Sequence, residues 1–368
     1  MGDRPFYWVQ GDRSNRAVAA FESGCYTIAM QGSALLGILA DGQFHSGEVL
    51  GRALGISRAG VWKHLQVLKT HGIEIDSVPG KGHRLTVPIE LISEAQIRAG
   101  LSETARARLR GLELRQQIDS TNSELRRRAA SLPSSFACIA EAQTAGRGRS
   151  NRAWLSPYAR NLYLSLLWRF DAGPDALAGL SLAVGVAVLR ALRHMGVADA
   201  GLKWPNDLLW QGAKLAGTLI EMSGEACGNC SVVIGVGINV RMPRTLGESI
   251  DQAWTDLANI TGTIPSRNRL AGALLSELIE MLAGYERTGL APLLEEWRRH
   301  DILRDRAVTV ITPHGKQRGI ARGIDAGGAL LVEESGIIRR YLSGDVSLHA
   351  DHGDPARGTR GVSRDARA

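Results

Sequence analysis

The sequence predicts an α+β protein built from an N-terminal winged helix-turn-helix, a central mixed-sheet domain and a C-terminal small β-barrel. Three observations carry that prediction. Two capped helical segments flank Gly55 and lead into two short strands around Pro79-Gly-Lys-Gly82. From about residue 112 strand patterns alternate with helical ones, and from Val308 short strands are divided by Pro313-His-Gly, Asp325-Ala-Gly-Gly and Ser343-Gly. A chain of 368 residues has room for several domains and a large core, and 44% hydrophobic with 22% charged content is ordinary for a globular protein.

Taken in order, residues 1–29 show no sustained hydrophobic period and read as a flexible extension or a mis-assigned start before Met30. The winged module spans 30–88. Leu35, Leu36, Ile38 and Leu39 mark a first helix. Ser46 is placed to cap a second helix, Gly55 to turn the chain, and Ser57 to cap a third. The exposed face of this third helix presents Ser57, Arg58, Trp62, Lys63 and Gln66, and the wing tip presents Lys81. Such side chains suit phosphates and base edges in a major groove. A winged-helix dimerisation domain is the alternative.

The central domain is expected over 89–302. Ser93-Glu-Ala-Gln96 reads as a capping box opening a connecting helix, and Thr121 with Glu124 as a second box for a helix reaching residue 130. Strands are expected over 112–118, 136–141, Leu162–Phe170, 214–221 and 231–240, with a nearly all-apolar helix over 177–195. Lys203-Trp-Pro-Asn-Asp207 brings a strand to a forced turn. Helices over 270–289 and 290–299 precede a barrel of about five strands over 303–350, and 351–368 read as a disordered tail.

Charge and cysteine usage narrow the function. A net charge of +7 and a pI near 9.5 permit an acidic partner without naming one. The longest apolar run, 182–189, is far short of the ~20 residues of a membrane helix, and the N-terminus lacks a signal-peptide pattern. Four cysteines are too sparse for a disulfide framework, so a soluble cytoplasmic protein is expected. Cys227-Gly-Asn-Cys230 has zinc-ligand spacing but no second pair, and reads better as a hairpin tip between residues 220 and 232. No side-chain cluster predicts a resident metal.

The chemistry gathers at Gln143-Thr-Ala-Gly-Arg-Gly-Arg-Ser-Asn-Arg-Ala-Trp154. Arg147, Arg149 and Arg152 stand among small and turn-forming residues, a loop suited to an anion, with Asn151 able to take left-handed backbone. A solvated basic turn is the plain alternative. The glycine spacing excludes a P-loop or dinucleotide fingerprint.

These residues, with Lys203-Trp-Pro-Asn-Asp207, Lys214-Leu-Ala-Gly217, Gly235-Val-Gly-Ile-Asn239 and Gly319-Ile-Ala-Arg-Gly-Ile-Asp325, resemble the successive motifs of biotin protein ligases. With the N-terminal helix-turn-helix, the chain is similar to the bifunctional bacterial type that also represses biotin biosynthesis. The resemblance runs from about Leu35 to Leu348. It implies a class II synthetase-like catalytic fold with an SH3-like C-terminal barrel, and a reaction in which biotin and MgATP give biotinyl-5′-adenylate and pyrophosphate before transfer to a carrier-protein lysine.

By the same resemblance, Ser120, Thr121, Asn122, Gln143, Arg147, Gly148, Arg149 and Lys203 bind biotin. Arg149, Arg152, Trp154, Lys214, Asn239, Trp254 and Arg322 bind ATP or the adenylate. Lys203 and Arg149 are the catalytic candidates. Lys203 could otherwise be a surface lysine, Asn239 a strand-turn cap and Trp254 core. The partners implied are biotin carboxyl carrier protein, operator DNA and, when adenylate is bound, a second copy of the chain; no membrane is implied. The family often has Gly where Asn151 stands, which implies slower or stiffer loop closure. Rival readings are a lipoate or octanoyl transferase, a biotin-sensing repressor without catalysis, and a ligase with a vestigial DNA-binding domain.

Overall fold

The structure, a computed structural model, describes residues 31–70, 72–173, 177–224, 230–248, 250–312, 315–342 and 347–350. The expectations for 1–29, 351–368 and Cys227 lie outside the described residues. The chain divides into two compact units, one up to His300 and one from Asp301.

The first unit opens with helices Gln31–Leu39 (α1), Gly47–Leu54 (α2) and Arg58–Thr70 (α3), then the antiparallel wing strands Ile75–Val78 (β1) and Gly82–Leu85 (β2). Each expected cap is present. Ser46 Oγ accepts from the Val49 N–H at 3.1 Å and Ser57 Oγ from the Gly60 N–H at 3.1 Å. Gly55 ends α2 at φ 66°, a left-handed position where glycine carries no side-chain clash. Leu35, Leu50, Val61, Leu65 and Leu68 form the module's core. That cluster continues into Ala142, Tyr158 and Ala159, so the module is packed onto the next domain.

Two expected capping boxes are corrected. Ser93 precedes Glu94–Ala99 (α4) without a side-chain cap. Its N–H donates to Asn268 Oδ1 at 2.7 Å, while Gln96 Oε1 accepts from Asn268 Nδ2 at 2.8 Å, so a long-range asparagine replaces the local box. After Glu103–Arg108 (α5) and Gly111–Arg115 (β3), the helix Thr121–Arg127 (α6) is capped by Ser120, not Thr121. The Thr121 hydroxyl is taken by Gln143 and Ser165 instead.

Phe136–Ala140 (β4), Leu162–Phe170 (β5), Leu180–Arg193 (α7), Gly201–Lys203 (β6), Asp207–Trp210 (β7), Ala213–Gly224 (β8) and Cys230–Ile238 (β9) follow. The seven strands run in the order β3-β4-β5-β9-β8-β7-β6; β3 and β4 are parallel and every other pair is antiparallel. Arg244–Gly247 (α8), Leu257–Thr261 (α9), Arg267–Thr288 (α10) and Leu294–Arg299 (α11) complete this unit.

Alternation along the strands sorts the two faces. Even-numbered residues of β5 meet α10, where Phe170 contacts the Tyr285 ring at 6.4 Å between centroids. Leu202 of β6, paired across the sheet with Leu208, Ala216 and Ile238, packs on Gly185 of α7. The opposite face carries Ser165, Gly235, Gly237 and Gly217, a glycine-rich floor bordered by Tyr163 and Leu219.

The second unit is a five-stranded antiparallel sheet of Ala307–Thr312 (β10), Gly315–Ile324 (β11), Leu330–Glu334 (β12), Ile337–Tyr341 (β13) and Ser347–Ala350 (β14). Its order, β13-β12-β11-β10-β14, leaves the two outer strands unpaired with each other among the described residues.

Candidate active site

The glycine floor decides where side chains can lie. A Cβ on Gly235 would collide with the Asn122 carboxamide, and one on Gly237 with the Trp154 indole. The two glycines are two residues apart on one strand, so Asn122 and Trp154 rest on neighbouring positions about 7 Å apart.

Around Asn122 lies a cluster of buried, mostly uncharged polar groups. Ser165 Oγ is 2.6 Å from Asn122 Oδ1 and 2.7 Å from Thr121 Oγ1. Gln143 Oε1 accepts from the Thr121 N–H at 2.9 Å, and its Nε2 donates to Ser156 Oγ at 3.0 Å. Asn122 Nδ2 donates to Leu219 O at 3.2 Å and to Glu221 Oε2 at 3.0 Å. Ser120, Thr121, Asn122, Gln143 and Ser165 are all buried. Rigid donors and acceptors without net charge suit a neutral polar ring system.

Around Trp154 the environment is cationic. Lys214 Nζ is 2.7 Å from Asp207 Oδ1 and 5.5 Å from the centroid of the Trp154 ring. Lys203, paired with Asp207 at the β6–β7 turn, is held below the usual lysine range by burial. Asp207 opposes that shift, while Lys214 and Arg152 reinforce it. Burial likewise depresses Arg149, against the pull of Asp207. Lys203, Lys214 and Arg149 thus gather around one carboxylate with Arg152 acting on Lys203, an arrangement that favours a multiply charged anion.

The arginine loop joins the two regions. Gly148 N–H donates to Arg152 O at 2.7 Å and the Trp154 N–H to Gly146 O at 2.8 Å, making a small hairpin in which Arg147 bridges Ala153. Its left-handed residue is Ser150, at φ 54°, and not Asn151, because the turn between Gly148 and Arg152 places that geometry one residue earlier. Gly146 is required by packing: a Cβ there would lie 2.5 Å from Trp154 O. Arg147 is ion-paired with Glu221 at 3.0 Å. Arg147 Nε and Trp154 Nε1 are buried N–H groups without a partner, Trp154 Nε1 facing Gly237 of the floor.

Asn239 and Trp254 sit further out. Asn239 is buried, and its Nδ2 donates to Thr255 O at 3.1 Å and Lys214 O at 3.5 Å, so it ties β8 to the segment carrying Trp254. Trp254 bridges Lys214 through the backbone and donates from Nε1 to Gly247 O at 3.0 Å. Arg322, in the second unit, pairs with Asp305 at 2.6 Å and Glu333 at 2.8 Å. Among the described residues no group of three or more His, Cys, Asp or Glu side chains could hold a metal ion.

On the winged helix, Arg58, Trp62 and Lys63 are exposed on α3, Gln66 is half-buried and Lys81 is exposed at the wing tip. The Ser57 hydroxyl is engaged in its cap.

Glu221, Ser165 and Ser156 were not singled out from the sequence. A serine inside the apolar run Leu162–Phe170 and a glutamate ending the apolar part of β8 were the signals available.

Comparison with known proteins agrees with this layout. Residues 114–239 match the biotin/lipoate A/B protein ligase family, residues 33–84 an HTH domain, and residues 305–349 the biotin protein ligase C terminal domain. The chain is 44% identical over 316 residues to the bifunctional ligase/repressor BirA of Escherichia coli (strain K12), covering 86% of this chain and 96% of that protein. Identity to the protein of the same description from Bacillus subtilis (strain 168) is 32% over 311 residues, 84% of this chain and 95% of that one. A solved biotin protein ligase from Aquifex aeolicus, in complex with biotin and ATP, superposes with a TM-score of 0.57 at 29% identity, covering 66% of this chain and 99% of that one. No helix among the described residues is long and apolar enough to cross a membrane.

Proposed function

Since the chain belongs to the family of bifunctional biotin ligase/repressors, we propose that it makes biotinyl-5′-adenylate from biotin and MgATP and transfers biotin to a lysine of biotin carboxyl carrier protein. Its winged helix then represses biotin biosynthesis with the same adenylate as corepressor. One observation carries the catalytic half: a buried polar cluster at Asn122 and a cationic one at Trp154, Lys214 and Asp207 lie side by side on one glycine floor.

In this reading the biotin head group takes the pocket of Ser120, Thr121, Asn122 and Gln143. The carboxylate then points along the floor toward Lys203. Its oxygen attacks the α-phosphorus, the bond to the β-phosphate breaks, and pyrophosphate leaves. Two anions must approach each other, and Lys203, Arg149 and Lys214 offset that repulsion and the charge growing on the α-phosphate. Mg²⁺ arrives with the nucleotide. Trp154, Arg152, Asn239 and Trp254 line or support the adenylate end, with Arg147, Gly148 and Arg149 on the loop that shields it from water. In the second step the carrier lysine attacks the acyl carbon and AMP leaves. No covalent enzyme intermediate is required, since the adenylate already activates the carboxyl group.

Adenylate binding would order the loop and favour a homodimer, placing two α3 helices on two DNA half-sites. The carrier protein would compete with that dimer. The matched HTH and C-terminal modules favour this reading over a lipoate transferase.

The test is incubation of purified protein with biotin, α-labelled ATP and Mg²⁺, with and without a carrier domain. Adenylate in the first reaction and biotinylated carrier in the second are expected. Absence of adenylate would leave a biotin- or nucleotide-sensing repressor as the better account.

A further inference from the structure

The arginine loop carries three guanidinium groups, and they are not equivalent. Arg147 Nη2 lies 3.0 and 3.1 Å from the two carboxylate oxygens of Glu221, and it also donates to Ser123 Oγ at 3.1 Å. The same carboxylate accepts from Asn122 Nδ2 at 3.0 Å and from Arg126 Nη1 at 2.8 Å. Glu221 sits on β8 opposite Val233 of β9, beside the glycine floor, with a side chain 15% exposed. Arg149 instead feels Asp207, which is already ion-paired with Lys214.

We propose that Glu221 is a positioning residue: its carboxylate anchors Arg147 as the fixed end of the arginine loop and sets the orientation of the Asn122 carboxamide. One side chain thereby couples the loop to the head-group pocket. The chemistry follows from the contacts. A carboxylate at this site accepts from three donors, two of them charged, and charge-assisted hydrogen bonds are the stronger kind. Because Asn122 Nδ2 faces Glu221 and Leu219 O, its Oδ1 is left to Ser165 and to an incoming donor. With Arg147 neutralised, Arg149 and Arg152 remain the loop's cations for phosphate. The inference rests on the reading that this pocket takes biotin, but the loop anchor is a property of the protein alone.

The experiment therefore has two arms on the full chain, limited trypsin digestion without added substrate and calorimetric titration with biotin. Glu221→Gln keeps the side-chain size and removes the charge. Cleavage after Arg149 and Arg152 is expected to quicken about tenfold, with cooperative unfolding retained, and biotin affinity to fall by a similar factor. Arg147→Met is expected to raise the same cleavage, and the double variant to be no worse than either single one, because both remove one contact. Unchanged cleavage in the two folded variants, or effects that add in the double variant, would overturn the proposal. If Glu221→Gln fails to fold, Arg147→Met alone decides the loop arm. Faster cleavage in the variants of a protein that binds no biotin would uphold the anchor and sink the ligase reading.

Discussion

At Lys203 burial weakens the hold on the proton and the nearby Lys214 and Arg152 charges weaken it further, with Asp207 opposing them. The charged form is the one that serves an anion, so adenylate formation is expected to fall on the alkaline side at a pH below the ordinary lysine value of 10.5. A pH profile of kcat/KM checks this, and Lys203→Arg should move that limb upward because a guanidinium stays protonated. Folded-state depression of a lysine also means that the unfolded chain binds more protons, so stability contributed here rises with pH toward 10.5. Lys203→Ala is expected to lower the adenylation rate about 10²- to 10³-fold while the protein stays folded. The glycine floor gives a second prediction. Gly235→Ala pushes the new methyl into Asn122 and is expected to weaken biotin binding about tenfold with a smaller effect on ATP. Gly237→Ala, which displaces Trp154, should reverse that preference, and titration with each substrate separates the two. These glycines were visible in the motif Gly235-Val-Gly-Ile-Asn239, but what they make room for was not, because Asn122 and Trp154 approach from distant parts of the chain.

Between elements, the most demanding contact is the ion pair of Arg267, at the start of α10, with Glu141, just beyond β4. The pair is 2.7 Å apart with both side chains 3% exposed. Arg267 also donates to Asn161 O at 3.2 Å, and its N–H to Glu90 Oε2, so α10, the sheet and the linker from the winged helix meet there. Removing one partner strands a buried charge, and Arg267→Ala is expected to cost about 3–5 kcal/mol of stability, read by denaturant unfolding. Patterns confined to one element could be read from the sequence. A nearly continuous apolar run marked Leu162–Phe170, and the Ser46, Gly55 and Ser57 signals marked the helix-turn-helix. The capping boxes failed where tertiary partners outbid local ones: Thr121 hydrogen-bonds across the sheet to Ser165, and Asn268 takes both the Ser93 N–H and Gln96. Glu221 stayed hidden for the same reason, since only the register of β8 with β9 brings it beside Asn122.

Across the whole molecule, the winged helix is not an appendage. Arg160, on the sheet domain and 5% exposed, donates from Nη2 to the Gly72 carbonyl at 3.1 Å. Gly72 lies against Pro243 and Leu246, on the segment that leads to Trp254. The winged-helix module therefore touches the stretch proposed to meet the nucleotide. Burial, then the Arg241 charge, holds Arg160 down to about 10. In the second unit, Asp301 is raised to about 6 by burial. A carboxyl raised in the folded state contributes stability below its unfolded value of 3.8, and that contribution is lost as pH rises through about 6. Asp301→Asn is expected to flatten this dependence, seen as thermal midpoints that no longer fall between pH 4 and 7.

If α3 reads DNA, Arg58→Ala and Lys63→Ala should each reduce the slope of log affinity against log salt by about one, through lost phosphate contacts. The measurement that bears most directly on the bifunctional account follows DNA binding by one preparation of the full chain with biotin, with ATP, and with both. DNA from upstream of biotin biosynthetic genes serves as the target. Both substrates together are expected to tighten binding steeply with protein concentration, and an added carrier domain to reverse it. Affinity indifferent to the two substrates, in a preparation that biotinylates the carrier, would contradict the account and leave a ligase whose winged helix takes no part in regulation.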